Sequence, residues 1–236
     1  MSLLEITTNV GCPVTCDYCP QDVIISTYFR AGGPEQMSME MFQDCLDSIP
    51  RDVHILFSGM SEPWANPECS ALVRYARYVW HPVSVYTTTY GMTISDVRLL
   101  AHIPFRRFVL HRVPGASDDV VSLCRSTLSH YSEENMTWDK AHSRAGNLLG
   151  KKKIRRKGRI TCASSGDRLD HNVLMPDGRV FLCCMDYRME HALGNLRSET
   201  WEAIMKGTAI TRLRKGLKDE SIPLLCRHCE NSKEIK

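Results

Sequence analysis

Residues 11–20 read GCPVTCDYCP and place Cys12, Cys16 and Cys19 in a C-x3-C-x2-C array. Three thiols fall close together, and thiolates are the ligands that iron-sulfur clusters use. A cubane takes four ligands, so three leave one iron open. Zinc is the competing reading, but a structural zinc site wants four closed ligands, usually in paired C-x2-C spacings that this array lacks.

The array follows a short apolar run at about 3–8. Working outward, similar runs recur at about 53–58, 83–88 and 106–111 with amphipathic stretches between them. The runs read as strands. Helices are expected after Ser38, with Met41, Phe42, Leu46 and Ile49 on one face, and from Asn66-Pro67, a cap residue followed by proline. Two more are expected around Ser95 to Ile103, and from Ser117 through Val120, Val121, Leu123, Cys124 and Leu128. This alternation implies an α/β fold of parallel strands and right-handed crossovers, which carries its chemistry in the loops at the carboxyl ends of the strands.

Residues 151–159, KKKIRRKGR, are the one charge run and mark a boundary between units at 1–150 and 151–236. Beyond it, Val173 to Met175, a Pro176-Asp177-Gly178 turn and Arg179 to Leu182 read as a β-hairpin. A helix from Ser198 through Trp201, Ile204 and Met205 leads to a closing CRHC. At 236 residues, 43% hydrophobic and 24% charged, the chain is long enough to bury a core, and a net charge of +3 names no nucleic-acid or membrane partner by itself. Eleven cysteines are too few for a disulfide scaffold. The opening MSLLEITT carries no secretory signal and no apolar run is long enough to span a membrane, so a cytoplasmic location is expected.

The cysteine array, with the aromatic Tyr18 before its last member, resembles that of the radical S-adenosylmethionine (SAM) enzymes. The resemblance implies a partial (β/α)6 TIM-like barrel and a [4Fe-4S] cluster on Cys12, Cys16 and Cys19 whose open iron chelates SAM. FSGMSEP, residues 57–63, is similar to the family's glycine-rich motif, with Gly59, Glu62 and Pro63 kept and Ser61 where many members have glycine. Glu62 is expected to accept from the SAM ammonium group. TTTYG, residues 87–91, is similar to a Thr-Asn-Gly stretch near SAM and points to Thr88, with Tyr90 replacing asparagine. SRAGNL, residues 143–148, resembles the fifth-strand segment whose arginine, here Arg144, pairs with the SAM carboxylate. His111, at the end of the fourth strand, falls where relatives place ribose or substrate contacts.

Toward the C-terminus, Cys162, then Gly178 with Cys183 five residues on, and finally Cys226-x2-Cys229 resemble the shortened auxiliary-cluster extension called a twitch domain, related to the longer SPASM domain. One auxiliary [4Fe-4S] cluster on Cys162, Cys183, Cys226 and Cys229 is implied, with a four-cysteine zinc knot as the alternative. Cys184 competes with Cys183; the glycine spacing favours Cys183, and adjacent strand residues face opposite sides. Cys45, Cys69 and Cys124 read as small buried hydrophobes. Met185, Asp186 and Tyr187 are expected on the substrate side of the hairpin.

The resemblance implies reductive cleavage of SAM to a 5′-deoxyadenosyl radical that abstracts hydrogen from a substrate, with an external reductant such as flavodoxin or ferredoxin. No catalytic side chain is assigned beyond the cluster and SAM. A fully ligated auxiliary cluster suits electron acceptance, hence dehydrogenation of a small, polar, sugar-like or aminocyclitol alcohol, as in the aminocyclitol dehydrogenase of antibiotic biosynthesis. The alternatives are a redox-neutral epimerase or isomerase, a peptide maturase, an enzyme modifying a nucleotide or nucleic-acid base, and a non-catalytic metal-binding module.

Overall fold

The structure, a computed structural model, describes residues 1–235 except 15, 114 and 135–141. Five strands, β1 (Leu3–Ile6), β2 (His54–Phe57), β3 (Val83–Thr87), β4 (Arg107–His111) and β5 (Tyr131–Glu134), add side by side in chain order, all parallel. On its other edge β1 pairs in parallel with β7 (His171–Leu174), matching Leu3 to His171 and Ile6 to Leu174. The parallel sheet thus takes its sixth strand from beyond residue 150. β8 (Arg179–Phe181) and β9 (Ala192–Asn195) extend the same sheet antiparallel. Short β6 (Ile160–Cys162) pairs apart from it with β10 (Ser232–Glu234).

Strands laid down in sequence order through right-handed crossovers put their helices on one face. Between β1 and β2 come α1 (Gln21–Arg30) and α2 (Met39–Asp47), whose Ser38 cap accepts from the Met41 N–H at 3.2 Å. α3 (Cys69–Tyr78), α4 (Ile94–Leu100) and α5 (Asp118–Thr127) follow in turn, α4 opened by a Thr93–Asp96 capping box. Leu4, Ile6, Ile55, Phe57, Val85 and Phe108 meet Phe42, Leu72, Val73 and Val97 in the main core. A second cluster sets Ile24 and Tyr28 of α1 against Val173, Met175 and Phe181 of the β7–β8 hairpin. After β9 come α6 (Trp201–Lys206) and α7 (Thr208–Gly216). Among the described residues no helix is long and apolar enough to cross a membrane.

Two local expectations need correction. The helix expected from Asn66-Pro67 begins as α3 only at Cys69, after a turn in which the Asn66 side chain accepts from the Glu68 N–H at 2.8 Å as a cap does and the Asn66 carbonyl accepts from the Cys69 N–H. The Asn66 amide also donates to the Thr8 and Met37 carbonyls, both at 2.9 Å, and so pins two loops to the helix start. Residues 143–148 are not the fifth strand, which is β5; they form a turn in which Arg144 and Ala145 adopt φ of 51° and 55°.

The loop after β2 crosses closely over the end of β1. Gly59 sits at φ 64°, and a Cβ there would lie 2.3 Å from Thr7 Oγ1 and 2.9 Å from the Thr7 backbone. Gly59→Ala combines left-handed strain with a backbone clash and is expected to destabilise the protein by about 1–3 kcal/mol. Urea unfolding measures it, and an unchanged midpoint would refute this reading of the crossing.

Candidate active site: two cysteine-lined cavities

A cavity of about 380 Å³ opens at the carboxyl ends of the parallel strands. Each of the first five strands contributes an inner-face residue to it: Glu5, Leu56, Tyr86, His111 and Glu134. The lining also includes Cys12, Cys16, Tyr18, Cys19, Gly59, Ser61, Glu62, Thr88 and Arg144, so the residues singled out in the first half of the sequence come together in one place. Met185 and Tyr187 join them, whereas Asp186 is buried behind, accepting from the His191 N–H at 2.9 Å.

The cysteine loop is held by hydrogen bonds that the spacing did not reveal. Asn9 donates to the Gly11 carbonyl at 2.8 Å, and Gly11 takes φ 99° to turn the chain. Gln21, in the first turn of α1, accepts from the Cys12 N–H at 3.2 Å. Its Nε2 donates to Cys19 Sγ at 3.3 Å and to the Met60 carbonyl at 2.7 Å. One amide thus ties both ends of the array to the loop after β2. Tyr187 Oη lies 3.9 Å from Cys19 Sγ, and the Tyr18 hydroxyl bonds Cys16. Burial pushes the Cys12 and Cys16 thiols upward.

Glu62 is 4% exposed and fully engaged. One carboxylate oxygen accepts from the Thr87 hydroxyl and from the Trp64 N–H at 3.3 Å; the other accepts from the Thr88 N–H at 2.7 Å and hydroxyl at 2.8 Å. These four bonds use the acceptor capacity of a carboxylate. They also join the β2 loop to the TTTYG stretch, where Gly91 passes so close to the Trp64 carbonyl that a Cβ would lie 2.4 Å from it. Burial raises the Glu62 pKa and the four donors oppose it. Tyr90 is exposed and lies outside the cavity lining.

Arg144 reaches the cavity from its turn, with its guanidinium 5.4 Å from the Tyr18 ring centre and Nε donating to the Tyr18 carbonyl at 3.1 Å. Glu230 accepts from the Ser143 N–H and hydroxyl and from the Ala145 N–H, and Asn147 bridges the Arg144 and Met185 carbonyls at 2.7 and 2.9 Å. His111 stands 4.0 Å from Glu134 and edge-on to Tyr86; burial lowers its pKa and Glu134 opposes this.

A second cavity of about 100 Å³ is lined by Cys162, Cys183, Cys226 and Cys229. Cys162 ends β6, Cys226 lies in the 3-10 turn at 225–228 and Cys229 caps it. β8 ends at Phe181, so Cys183 and Cys184 part in a turn and not by strand alternation. Cys183 lines only the second cavity, while Cys184 lines both and meets Glu5. Four residues, Glu5, Cys184, Met185 and Asn231, line both cavities and form a common wall.

The donor sets suit iron-sulfur clusters. All the cysteines are free thiols, and besides the shared Cys184 the first cavity is walled by three of them and the second by four. Among the described residues no three His, Cys, Asp or Glu groups converge as ligands of a single ion do. A cubane needs no such convergence, since each thiolate holds a different iron. On the first cavity, Ser61 Oγ is buried without a hydrogen-bond partner, as a hydroxyl awaiting a ligand would be.

Glu5, which the sequence reading passed over, is enclosed by Cys184 and the Gly59 backbone, and burial pushes its carboxyl up to about 7. Between about 4.5 and 7 the folded protein therefore keeps a proton that the unfolded chain has lost, and stability falls as pH rises through that window. Glu5→Gln is expected to become progressively more stable than the unsubstituted apoprotein from pH 4.5 to 8. Urea midpoints across that range test it; parallel profiles would show that the carboxyl titrates normally.

Residues 167–230 match the SPASM family, described as an iron-sulfur cluster-binding domain. No curated protein matches the chain. Among solved structures, BtrN in complex with AdoMet and 2-DOIA is similar with a TM-score of 0.72 at 18% identity, over 99% of this chain and 93% of that one. anSMEcpe with bound AdoMet has a TM-score of 0.57 at 15% identity, over 97% and 83%. SuiB of Streptococcus suis bound to its precursor peptide SuiA has 0.54 at 11%, over 90% and 66%. At these identities the likeness is one of fold, a partial barrel followed by the cysteine-bearing extension. Residues 167–230, which carry three of the four C-terminal cysteines, thus match an iron-sulfur cluster-binding family, and the chain as a whole shares its fold with solved structures of which BtrN and anSMEcpe hold AdoMet.

Proposed function

We propose that the chain dehydrogenates a small polar substrate, a sugar-like or aminocyclitol alcohol, in the first cavity. A cluster held by Cys12, Cys16 and Cys19 would supply the electron that cleaves SAM to methionine and a 5′-deoxyadenosyl radical, which takes one hydrogen atom from the substrate carbon; a cluster held by Cys162, Cys183, Cys226 and Cys229 would take up the remaining electron as the hydroxyl proton is lost to solvent. The observation that carries this reading is the common wall: whatever occupies the first cavity lies one layer of side chains from the second. The volume, about 380 Å³, falls in the lower range of small-molecule sites. The resemblance to BtrN, whose structure holds AdoMet and 2-DOIA, favours the same class.

In this proposal residues 1–150 bind and orient SAM and residues 151–236 hold the auxiliary centre. Gln21 fixes the sulfur of Cys19, and Arg144 offers a two-pronged donor to the SAM carboxylate. Glu62, already saturated by Thr87, Thr88 and the Trp64 N–H, holds Thr88 and the rim of the cavity in place and leaves the Ser61 hydroxyl to face the cofactor. Gly59 keeps the loop close to β1, and Tyr18 and His111 form the sides. Glu5 offers an acceptor to a substrate hydroxyl.

One observation favours a redox-neutral second reading. Cys184 is a thiol on the substrate side of the wall, placed to return a hydrogen atom to a substrate carbon.

Anaerobic reconstitution with iron and sulfide should give about eight irons per chain and, with reductant, 5′-deoxyadenosine. Replacing Cys12, Cys16 and Cys19 together by alanine is expected to remove about four irons and all SAM cleavage; retained cleavage would overturn the assignment. Gln21→Ala should keep the iron count but lose cluster faster to a chelator. With aminocyclitol substrates, a product two mass units lighter that survives Cys184→Ala supports dehydrogenation. An isomer of unchanged mass in water and one unit heavier in deuterium oxide, which vanishes in Cys184→Ala, supports the second reading.

A further inference from the structure

The charge run at 151–159 has no helix or strand of its own, yet it is clamped along the outside of the second cysteine site. The Arg156 N–H donates to the Arg227 carbonyl at 2.7 Å, and the His228 ring bonds the Ile154 carbonyl at 2.8 Å. Arg227, 4% exposed, donates to the carbonyls of Gly158 at 3.0 Å and Gly216 at 2.6 Å. Cys226 and Cys229 flank these two residues and face inward, so the 225–228 turn has the cluster site on one side and the basic strap on the other. Lys153 also passes over Gly146, beside the turn that carries Arg144.

The strap's backbone is tied down while its cations are left outward. Lys152, Lys153, Arg155 and Lys157 are exposed, and among the described residues none of their side chains has a carboxylate partner, whereas Arg159 is paired with Asp167. Two carboxylates do reach the strap, Glu234 accepting from the Lys157 N–H at 2.9 Å and Glu220 from the Gly158 N–H at 2.5 Å, but four exposed cations exceed them, and such a surplus of positive charge held in a fixed conformation is suited to steer an acidic macromolecule to that spot. Net charge on the whole chain is only +3, so the field is local to the strap. The proposed chemistry needs an electron delivered from outside and, for a dehydrogenation, an electron removed from the auxiliary centre.

We propose that Lys152, Lys153, Arg155 and Lys157 form the docking surface for an acidic one-electron carrier protein of the flavodoxin or ferredoxin kind, which exchanges electrons with the centre at Cys226 and Cys229. In each exchange one electron passes across the 225–228 turn, the carrier and the cluster changing oxidation state by one in opposite senses. The inference rests on the reading of the C-terminal cysteines as cluster ligands.

The test compares the full chain with a Lys152→Gln, Lys153→Gln, Arg155→Gln, Lys157→Gln variant, both reconstituted, using an acidic flavodoxin as the probe. Flavodoxin binding by calorimetry and electron transfer by stopped-flow absorbance are followed at low and high salt. The unsubstituted protein should bind more weakly as salt rises, and the variant should transfer electrons about tenfold more slowly at low salt, the two converging at high salt. Iron content and dithionite-driven 5′-deoxyadenosine formation should be equal. The chain lacking Cys12, Cys16 and Cys19 should keep the same strap-dependent transfer, which assigns it to the auxiliary centre. Equal flavodoxin kinetics in chain and variant would overturn the proposal. So would a variant that loses only the binding of a single-stranded RNA oligonucleotide, which would assign the strap to a polyanion. If docking holds but dithionite drives no SAM cleavage in either protein, the functional reading fails and the docking surface stands.

Discussion

β1 is hydrogen-bonded along both edges, to β2 and to β7, and each pairing is parallel and in the same register. In a strand held so, successive side chains must alternate between the two faces. Leu4 and Ile6 are committed to the helix-covered core, and Glu5 to the interior where both cavities lie. The same strand delivers the chain into Thr7, over which Gly59 crosses, and then into the cysteine loop. Four residues therefore decide where the first thiols stand, how near the β2 loop approaches them, and which group is enclosed in the wall. Joining β1 to β7 also brings the hairpin, and with it Cys183 and Cys184, against the barrel interior.

Around that strand the site is tightened by a few polar groups that each serve several loops. Gln21 spans the cysteine array and the β2 loop, Glu62 spans the β2 and β3 loops, and Asn66 ties the β1 loop to the segment before α2. Buried amides and carboxylates with all their bonds made rigidify their surroundings, because losing one partner leaves a desolvated group behind. The first cavity is thereby given walls that do not yield, which fixes the relative positions of the groups that line it.

Much of this was legible in the sequence where spacing alone carries meaning. The cysteine array, the Gly59–Glu62 motif and the CRHC end are short local patterns whose cysteines and motif residues line the two cavities, and the 176–178 turn is a local pattern that closes the β7–β8 hairpin. What was not legible depends on partners distant in the chain. The helix α1, QDVIISTYFR, is rich in β-branched and aromatic residues and owes its existence to packing on the β7–β8 hairpin. The strand β5, YSEE, is exposed and has no apolar alternation to announce it. The start of α3 fell two residues beyond Asn66-Pro67, although Asn66 caps the leading turn, and nothing in the sequence announced that its amide also ties in two other loops. Glu5 offered one usable signal, a charged residue in the middle of an apolar strand, and Gln21 offered none beyond lying two residues after Cys19.

Glu230 lies next to Cys229, and its carboxylate gathers the backbone of the Ser143–Ala145 turn from which Arg144 extends. One residue thus belongs at once to the auxiliary cysteine loop and to the arm that closes the first cavity. Whatever immobilises Cys229 also immobilises Glu230, and through it the guanidinium over Tyr18. The consequence is mechanical: a displacement at one cavity is felt at the other, because a single carboxylate holds both the end of the Cys226–Cys229 loop and the arm that bears Arg144.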